Sequence, residues 1–262
     1  MPRRLGQHFL KNTASLATIL TKLDPQPQET IIEIGPGTGI LTHALHERCL
    51  LQHCQIVGVE KDSRLFNSLS RTFPNQSLIR FVYGDILTLL PQLTAELRPH
   101  SYSVVGNIPY YISGKLLRIL GELFPRPRAI ILMLQKEVAL RVSAQPPSMN
   151  LLAASVQVWA KSTILASLSP HDFSPPPKVN SSILLLRPHA NNPVPQHYYD
   201  FIRILFKQPR KTILNNLAAG YPLSKEAIVT LLASEHLSGR ERPQHISLEI
   251  LIKLGKLYGL FH

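Results

Sequence analysis

Through the first half of the chain, short apolar runs alternate with stretches whose apolar residues recur at helical spacing. The runs predicted to be strands lie at residues 30–34, 55–60, 77–83, 102–106 and 129–134. Helices are predicted at residues 40–48, 113–123 and 135–143, and one more begins after Asp62, its predicted capping residue. This alternation predicts an α/β fold, in which crossover helices connect the strands of a mainly parallel sheet.

The second half of the chain has a different pattern. Two further strands are predicted at 156–160 and 181–186, with proline-rich loop segments between them. We expect these two strands to pair antiparallel at one edge of the sheet. Residues 187–195 have the composition of a linker, and helical spacing returns at 198–206, 211–219, 224–233 and 247–258. The sequence therefore predicts an α/β domain at 1–187 and a small helical domain at 188–262.

Glycines and acidic residues follow the first three predicted strands, at the sheet edge where open α/β folds bind ligands. Gly35 and Gly37 belong to a turn in which three glycines at alternate positions let a ligand approach the backbone. Glu60 ends the second strand, where a carboxylate can accept both ribose hydroxyls of an adenosine-containing cofactor; a helix-terminal carboxylate is the alternative. Asp85 can bond the adenine amine while Ile86 covers the ring, although an Asx turn also explains Asp85.

The fourth predicted strand leads into Asn107, Ile108, Pro109 and Tyr110. The exocyclic amine of adenine is a poor nucleophile because its lone pair is delocalised into the ring. The side-chain oxygen of Asn107 and the carbonyl of Ile108 can accept its two N–H bonds and favour a pyramidal, reactive nitrogen. Pro109 restricts the backbone, and Tyr110 can stack on the base. A strand that simply ends in a turn is the alternative interpretation.

The chain is strongly basic, with a formal net charge of +12 and an isoelectric point of about 9.9. Basic residues are in excess in both predicted domains, so the charge is not confined to one tail. Binding to a polyanion is the natural interpretation, because contacts with phosphates release counterions. Lys207, Arg210 and Lys211 lie where Pro209 separates two predicted helices, and we predict that they contact RNA. A solvated helix end is the alternative.

Composition also limits other classes of function. The longest apolar runs are too short to span a bilayer, and the first residues lack the apolar segment of a signal peptide, so no membrane association is expected. Two cysteines are too few for a disulfide framework, and we expect a reducing, cytoplasmic compartment. We expect no metal site from the one cluster of potential zinc ligands, His43, His46, Cys49, His53 and Cys54.

Several segments together resemble the S-adenosylmethionine-dependent rRNA adenine dimethyltransferases. The segments that carry the resemblance are 7–10, 33–39, Glu60, 84–85, 107–110, 132–138, 173–181 and 206–212. The resemblance extends over nearly the whole chain and is weakest towards the C-terminus. It implies a Rossmann-like methyltransferase sheet, mostly parallel with an antiparallel edge hairpin, and a small C-terminal helical domain that binds rRNA and the ribosome. It also implies S-adenosyl-L-methionine as the cofactor.

The resemblance assigns roles to individual residues. The implied cofactor-binding positions are His8, Leu10, Gly35, Glu60, Asp85 and Asn107. Phe9 and Tyr110 are implied to flank the target adenine, and Phe173 to close over it from the proline-rich loop. Two positions depart from the family pattern. His8 stands where the family usually has Asn, which changes the available hydrogen-bonding groups, and Pro209 replaces a usual Arg, which removes one expected phosphate contact.

Two branches of this superfamily compete as the nearest match. One dimethylates the N6 amines of two adjacent adenines near the 3′ end of small-subunit (16S) rRNA during ribosome biogenesis. The other methylates one adenine of large-subunit rRNA and confers macrolide resistance. Pro36, the run 133–138 and the helix start at 211–212 resemble the first branch. We therefore expect a monomeric small-subunit enzyme. The alternatives are a large-subunit enzyme and a ribosome-assembly or transcription factor with the same fold.

Overall fold

The computed structural model describes residues 8–74, 77–190, 194–221 and 223–259 of the 262-residue chain. Gln7, in one family-like segment, and residues 191–193 of the predicted linker lie outside the described residues. The chain divides into two compact units. The first contains the described residues up to Ala139 together with Lys161–Pro188, and the second contains Leu140–Ala160 and the described residues from His189 onward. The predicted first domain therefore included one segment, Leu140–Ala160, that belongs with the second unit.

A mixed sheet forms the centre of the first unit. The described strands are β1 (Phe9–Leu10), β2 (Thr30–Ile34), β3 (Gln55–Glu60), β4 (Ile79–Tyr83), β5 (Tyr102–Asn107), β6 (Ala129–Gln135), β7 (Ala160–Leu168), β8 (Phe173–Ser174) and β9 (Ser181–Pro188). Among the described residues, the sheet order is β4-β3-β2-β5-β6-β9-β7, and β1 pairs separately with β8. Strands β2 to β6 pair in parallel, whereas β9 is antiparallel to β6. The predicted mainly parallel sheet with an antiparallel edge is confirmed.

Helices connect most of these strands. They are α1 (Thr13–Leu23), α2 (Ile40–Gln52), α3 (Ser63–Thr72), α4 (Ile86–Thr94), α5 (Ser113–Glu122) and α6 (Lys136–Val142). The predicted capping role of Asp62 is confirmed, because its side chain accepts a hydrogen bond from the backbone N–H of Arg64 at 2.9 Å. Helices α1 and α4 were not predicted, and α4 contains Pro91, which sequence reasoning takes as a helix breaker. No helix in the described ranges is long and apolar enough to cross a bilayer.

The strand predicted at 156–160 is wrong. Val156 and Gln157 belong to α7 (Leu151–Gln157), the next two residues form a turn, and β7 begins only at Ala160. Asn150 caps the start of this helix. Its side-chain oxygen accepts hydrogen bonds from the backbone N–H groups of Leu152 and Ala153 at 3.0 and 3.1 Å. In the described sheet, β7 lies at the edge, and β9 has β6 and β7 as its neighbours.

The second unit is helical, as predicted. It contains α7 with α8 (Tyr198–Leu205), α9 (Ile213–Gly220), α10 (Lys225–Ser234) and α11 (Leu248–Tyr258). The buried hydroxyl of Tyr198 donates to the carbonyl of Ala154 in α7 at 3.2 Å. The backbone N–H of His189 donates to the carbonyl of Trp159 at 2.9 Å. These contacts explain why the segment around α7 packs with the C-terminal helices.

The two cysteines do not support a reducing compartment. Cys49 and Cys54 are buried and joined by a disulfide at the turn between α2 and β3. His53, between them, adopts a left-handed backbone conformation that brings the chain back towards the end of α2. The number of cysteines did not show that these two are close enough to pair. Disulfides are rare in reducing compartments, so the cysteine count no longer argues for one.

Candidate active site

The carboxyl ends of the central strands meet at one edge of the sheet. Strands β2 and β5 are neighbours at the point where the strand order reverses, and in open α/β sheets this reversal leaves a crevice for ligands. An open cleft lies here, with about 860 Å³ of empty space when the solvent at its mouth is included. The predicted residues that line it are His8, Phe9, Gly35, Gly37, Glu60, Asp85, Ile86, Asn107, Ile108, Pro109 and Tyr110. The fold thus brings together residues from five separate segments.

The glycine turn after β2 leaves room for a ligand beside the backbone. Gly35 and Gly37 have φ angles of +61° and +63°, which residues with a Cβ rarely adopt. A Cβ on Gly37 would lie 2.8 Å from the ring of Phe9. A Cβ on Gly35 would meet no atom of the described residues within 4 Å. Gly37 therefore permits the packing of Phe9, and Gly35 borders open space.

Glu60 ends β3 with its carboxylate almost completely buried. One oxygen accepts the backbone N–H of Gly37 at 3.1 Å, and the other accepts the N–H of Asp62 at 2.8 Å. These bonds fix the carboxylate between the glycine turn and the start of α3. Each carboxylate oxygen has two acceptor sites, so each retains one for a ligand. Two such acceptors suit a pair of neighbouring hydroxyls.

Asp85 follows β4 and caps α4. One oxygen accepts the backbone N–H of Leu87 at 2.9 Å, and the other forms a salt bridge with Nζ of Lys61 at 2.8 Å. Burial alone would raise the pKa of Asp85, but the bonds from Lys61 and Leu87 outweigh it and lower the pKa. Asp85 is therefore ionised and can accept a further hydrogen bond, and the buried side chain of Ile86 adds an apolar surface.

Asn107 ends β5 with its side chain already anchored. Its amide nitrogen donates to the backbone carbonyl of His8 at 2.6 Å. The His8 ring is itself held, because Nδ1 lies 2.8 Å from the carbonyl of Pro175 and must donate to it. His8 thus orients Asn107 through its backbone, and the departure from the usual Asn at this position leaves that contact intact.

Aromatic rings line the cleft next to Asn107. The hydroxyl of Tyr110 is 2.7 Å from Oγ of Ser181, and its ring is stacked on His8 with a centroid distance of 6.3 Å. The ring of Phe9, which also lines the cleft, packs against Gly37. Flat apolar surfaces beside a polar amide suit a nucleobase.

Glu33 is a buried acid to which no role was assigned from the sequence. Oγ1 of Thr42 donates to its carboxylate at 2.7 Å. Burial raises the pKa of Glu33 to about 7; the bond from Thr42 opposes this shift, and the charge of Glu60 adds to it. Glu33 lines a smaller cavity of about 370 Å³ behind the glycine turn. Its position directly before the glycines was the available indication in the sequence.

Two predicted site residues, Leu10 and Phe173, are not placed at the cleft. They are paired across β1 and β8 and belong to the hydrophobic core, and Phe173 is only 1% exposed. Asn12 reinforces this pairing by donating to the side chain of Asp172 at 2.6 Å. The structure therefore does not place Phe173 among the described residues that line the cleft, and its closing over the target base stays a prediction. Leu10 borders the smaller cavity behind the glycine turn.

The sequence analysis did not predict every residue at the cleft. Lys61, Leu65, Tyr111 and Ile112 also line it. Lys61 directly follows Glu60, and Tyr111 directly follows Tyr110, so their proximity to predicted residues was the only indication. As for metals, no group of three or more His, Cys, Asp or Glu side chains in the described part of the chain is arranged to hold an ion.

The predicted RNA-binding residues share one loop of the second unit. Lys207, Arg210 and Lys211, here called the basic corner, are all exposed between α8 and α9. The buried side chain of Asn216 holds the loop: it accepts the N–H of Gln208 at 3.1 Å and donates to the Gln208 carbonyl at 3.0 Å. The loop is therefore ordered while its three cations face solvent, as contact with phosphates requires.

Sequence comparisons identify the relatives of this chain. Residues 2–250 match the model of a family described as ribosomal RNA adenine dimethylase. A ribosomal RNA small subunit methyltransferase A of Dehalococcoides mccartyi is 34% identical over 255 residues, covering 95% of this chain and 86% of the relative. A protein of the same name from Chlorobium chlorochromatii is 35% identical over 259 residues, covering 97% and 92%.

Solved structures are similar over the same length. A dimethyladenosine transferase from Plasmodium falciparum has a TM-score of 0.78 at 25% identity, covering 94% of this chain and 96% of that one. The 23S rRNA methyltransferase ErmE has a TM-score of 0.75 at 24% identity, covering 95% and 98%. The likeness to ErmE shows a shared fold.

Proposed function

The chain belongs to the ribosomal RNA adenine dimethylase family, and on this basis we propose that it dimethylates the N6 amine of adenine in small-subunit rRNA, with S-adenosylmethionine as the methyl donor. The proposed targets are two adjacent adenines near the 3′ end of the 16S rRNA. The observation that carries this proposal is the cleft, where Gly35, Glu60 and Asp85 adjoin Asn107 and Tyr110.

The first group of these residues fits the proposed cofactor. The free acceptor sites of Glu60 would bind the ribose hydroxyls, and Asp85 would accept the adenine amine. Ile86 would cover the adenine ring, and the open space at Gly35 would admit the rest of the molecule. When bound, the cofactor supplies an activated methyl group on its sulfonium.

The second group acts on the target amine. Because the amide nitrogen of Asn107 is bonded to His8, its side-chain oxygen is the group that accepts an N–H of the substrate. Together with the Ile108 carbonyl, it favours a pyramidal nitrogen and stabilises the positive charge that develops there. Tyr110 stacks on the base and aligns the amine for transfer. The proton released from nitrogen passes to water, since Glu60 and Asp85 are committed to other partners.

A large-subunit rRNA substrate is the principal alternative. The relatives at 34% and 35% identity are named small-subunit methyltransferases, whereas the likeness to ErmE supports the fold alone. A small-subunit substrate is therefore better supported. The other alternative is a ribosome-assembly or transcription factor with the same fold, for which methyl transfer would be secondary.

The proposal also covers the RNA-binding surface, the oligomeric state and the cellular location of the protein. We assign rRNA binding to the basic corner, because its three exposed cations lie on an ordered loop. We further propose a monomer, because each role in the proposed transfer has a candidate residue within this chain. A cytoplasmic location is proposed from the ribosomal substrate and not from the cysteines.

Transfer of labelled methyl groups separates these functions. Four substrates are compared: assembled small subunits, naked 16S rRNA, 23S rRNA and DNA. We expect label as dimethyladenine on small subunits or their rRNA, and none on 23S rRNA or DNA. Label on 23S rRNA alone would favour the large-subunit enzyme. Binding of cofactor without transfer to any of the four would favour the assembly factor, and Asn107→Ala serves as the inactive control.

A further inference from the structure

The mouth of the cleft carries an aromatic side chain that the proposed methyl transfer does not use. Tyr111 lies in the 3-10 turn Tyr110–Ile112 before α5, and it lines the cleft although it is 65% exposed. Its neighbour Tyr110, in contrast, is held by the contact with Ser181. Tyr111 therefore presents a large ring to solvent directly beside the residue proposed to stack on the target base.

Two lysines lie near this part of the cleft. Lys61 lines the cleft and is bonded to Asp85; that bond is the main reason its pKa is raised, and Tyr111 contributes as well. Lys115 is exposed in the first turn of α5 and is near enough to Asp85 to help lower the pKa of that carboxyl. Its effect is smaller than those of burial, Lys61 and Leu87. An aromatic ring beside cations is the arrangement by which proteins hold single-stranded nucleic acid, because bases stack on rings while phosphates meet positive charge.

We propose that Tyr111 is a stacking platform for the base adjacent to the target adenine, with Lys61 and Lys115 beside the connecting phosphate. This inference rests on the proposed function. A base that enters an active site must leave its stack, and its neighbour then loses a stacking partner. Tyr110 and Tyr111 are neighbours in one turn and line the same cleft, so a strand whose target base lies beside Tyr110 can bring an adjacent base to Tyr111.

The adenine of the cofactor is the competing occupant. Its proposed subsite is built by the partly buried Asp85 and the buried Ile86, whereas Tyr111, which also lines the cleft, is 65% exposed. A ring in that position contacts a molecule that extends out of the cleft, as an RNA strand must. Cofactor affinity therefore belongs among the measurements.

The test uses a short hairpin RNA whose loop contains two adjacent adenines. Michaelis constants for the RNA at saturating cofactor are compared for the wild type, Tyr111→Ala and Tyr111→Phe. Phe124→Ala is the matched control, because Phe124 is 84% exposed in the same unit and is not among the described residues that line the cleft. We expect Tyr111→Ala to raise KM at least about fivefold, the lower end of base–aromatic stacking. Tyr111→Phe keeps the ring and should resemble the wild type, as should Phe124→Ala.

A second arm measures equilibrium binding of the same RNA with an abasic site next to the target adenine. Without the neighbouring base, the wild type and Tyr111→Ala should bind equally, because there is nothing to stack. This arm does not require turnover, so a chain that stacks the base but fails to methylate would contradict only the proposed function. The inference would be overturned if Tyr111→Ala bound the intact RNA as tightly as the wild type does. It would also be overturned if the variant weakened cofactor binding and left RNA binding unchanged.

Discussion

Replacement of Asn107 tests the chemistry of the cleft most directly. Its amide nitrogen donates to the carbonyl of His8 at 2.6 Å, which positions the side-chain oxygen for the target amine. Asn107→Ala removes both the anchor and the oxygen. Loss of one preorganised polar group of this kind costs about 2.7–4 kcal/mol of transition-state stabilisation, which corresponds to about 10²–10³-fold in rate.

A second variant separates the oxygen from its anchor. Asn107→Asp keeps an acceptor for the amine but cannot donate to the carbonyl of His8, and the two oxygens would repel each other. A hydrogen bond of this type contributes about 0.5–1.5 kcal/mol, so the aspartate variant should be about tenfold slower than the wild type. We therefore expect its rate to lie between those of the wild type and Asn107→Ala.

The assay is single-turnover methylation of small-subunit rRNA with enzyme in excess and cofactor saturating, which isolates the chemical step from product release. Thermal unfolding of each variant shows whether the fold is retained. If Asn107→Ala slows the reaction by less than about threefold, the role of the amide in catalysis is refuted. An aspartate variant as fast as the wild type would show that the anchor on His8 is dispensable.

Three further predictions address the cofactor, the RNA and pH. Glu60→Ala should weaken cofactor binding about tenfold or more in calorimetry, because charge-assisted hydrogen bonds are lost; unchanged affinity would place the cofactor elsewhere. Replacement of Lys207, Arg210 and Lys211 by Ala should make the slope of log RNA affinity against log salt shallower by about two to three, and a wild-type slope would show that the basic corner touches no phosphate. Burial raises the pKa of Glu33 to about 7, so the folded state keeps a proton that the unfolded state loses above about pH 4.5. The free energy of unfolding should therefore fall as the pH rises from about 4.5 towards 7. Glu33→Gln should flatten this dependence in denaturant titrations at several pH values, and an unaltered profile would assign the proton to another group.

The centre of the sheet could be predicted because β2, β5 and β6 are buried and mainly apolar along most of their length. Residues 30–34 and 55–60 were predicted with the bounds that the structure has, since each run is bordered by polar or turn residues. Their carboxyl ends then locate the edge at which ligands bind. This is why the residues that follow the strands were found at the cleft without knowledge of the side-chain contacts.

Local pattern was insufficient where distant contacts decide the structure. The alternating segment 156–160 looks like a strand, yet the side chain of Gln157 donates to the carbonyls of Val142 and Ala144 and ends a helix. In the same way, Arg128 pairs with the buried carboxylate of Glu29, which is 99 positions away in the sequence. No periodicity along the chain encodes contacts at such separations.

The resemblance to a family identified candidate site residues but did not show how deeply each side chain is buried. Leu10 and Phe173 were expected at the ligand, but the pairing of β1 with β8 places both in the core. Tyr111 and Lys61 were overlooked, although they border the cleft. The side of a short strand that faces a ligand depends on its pairing partner, and this partner is more than 160 residues away in the sequence.

The polar groups of the cleft share one property that the sequence could not show. Glu60 is bonded to two backbone N–H groups, Asp85 to one backbone N–H and Lys61, and Asn107 to a backbone carbonyl. Each is therefore oriented when the chain folds and not when a ligand arrives. A reaction that depends on alignment gains from this, because groups that are already fixed need no reorganisation in the transition state. The backbone of His8 thus becomes as relevant to methyl transfer as the side chain of Asn107, and it does so whichever residue occupies position 8.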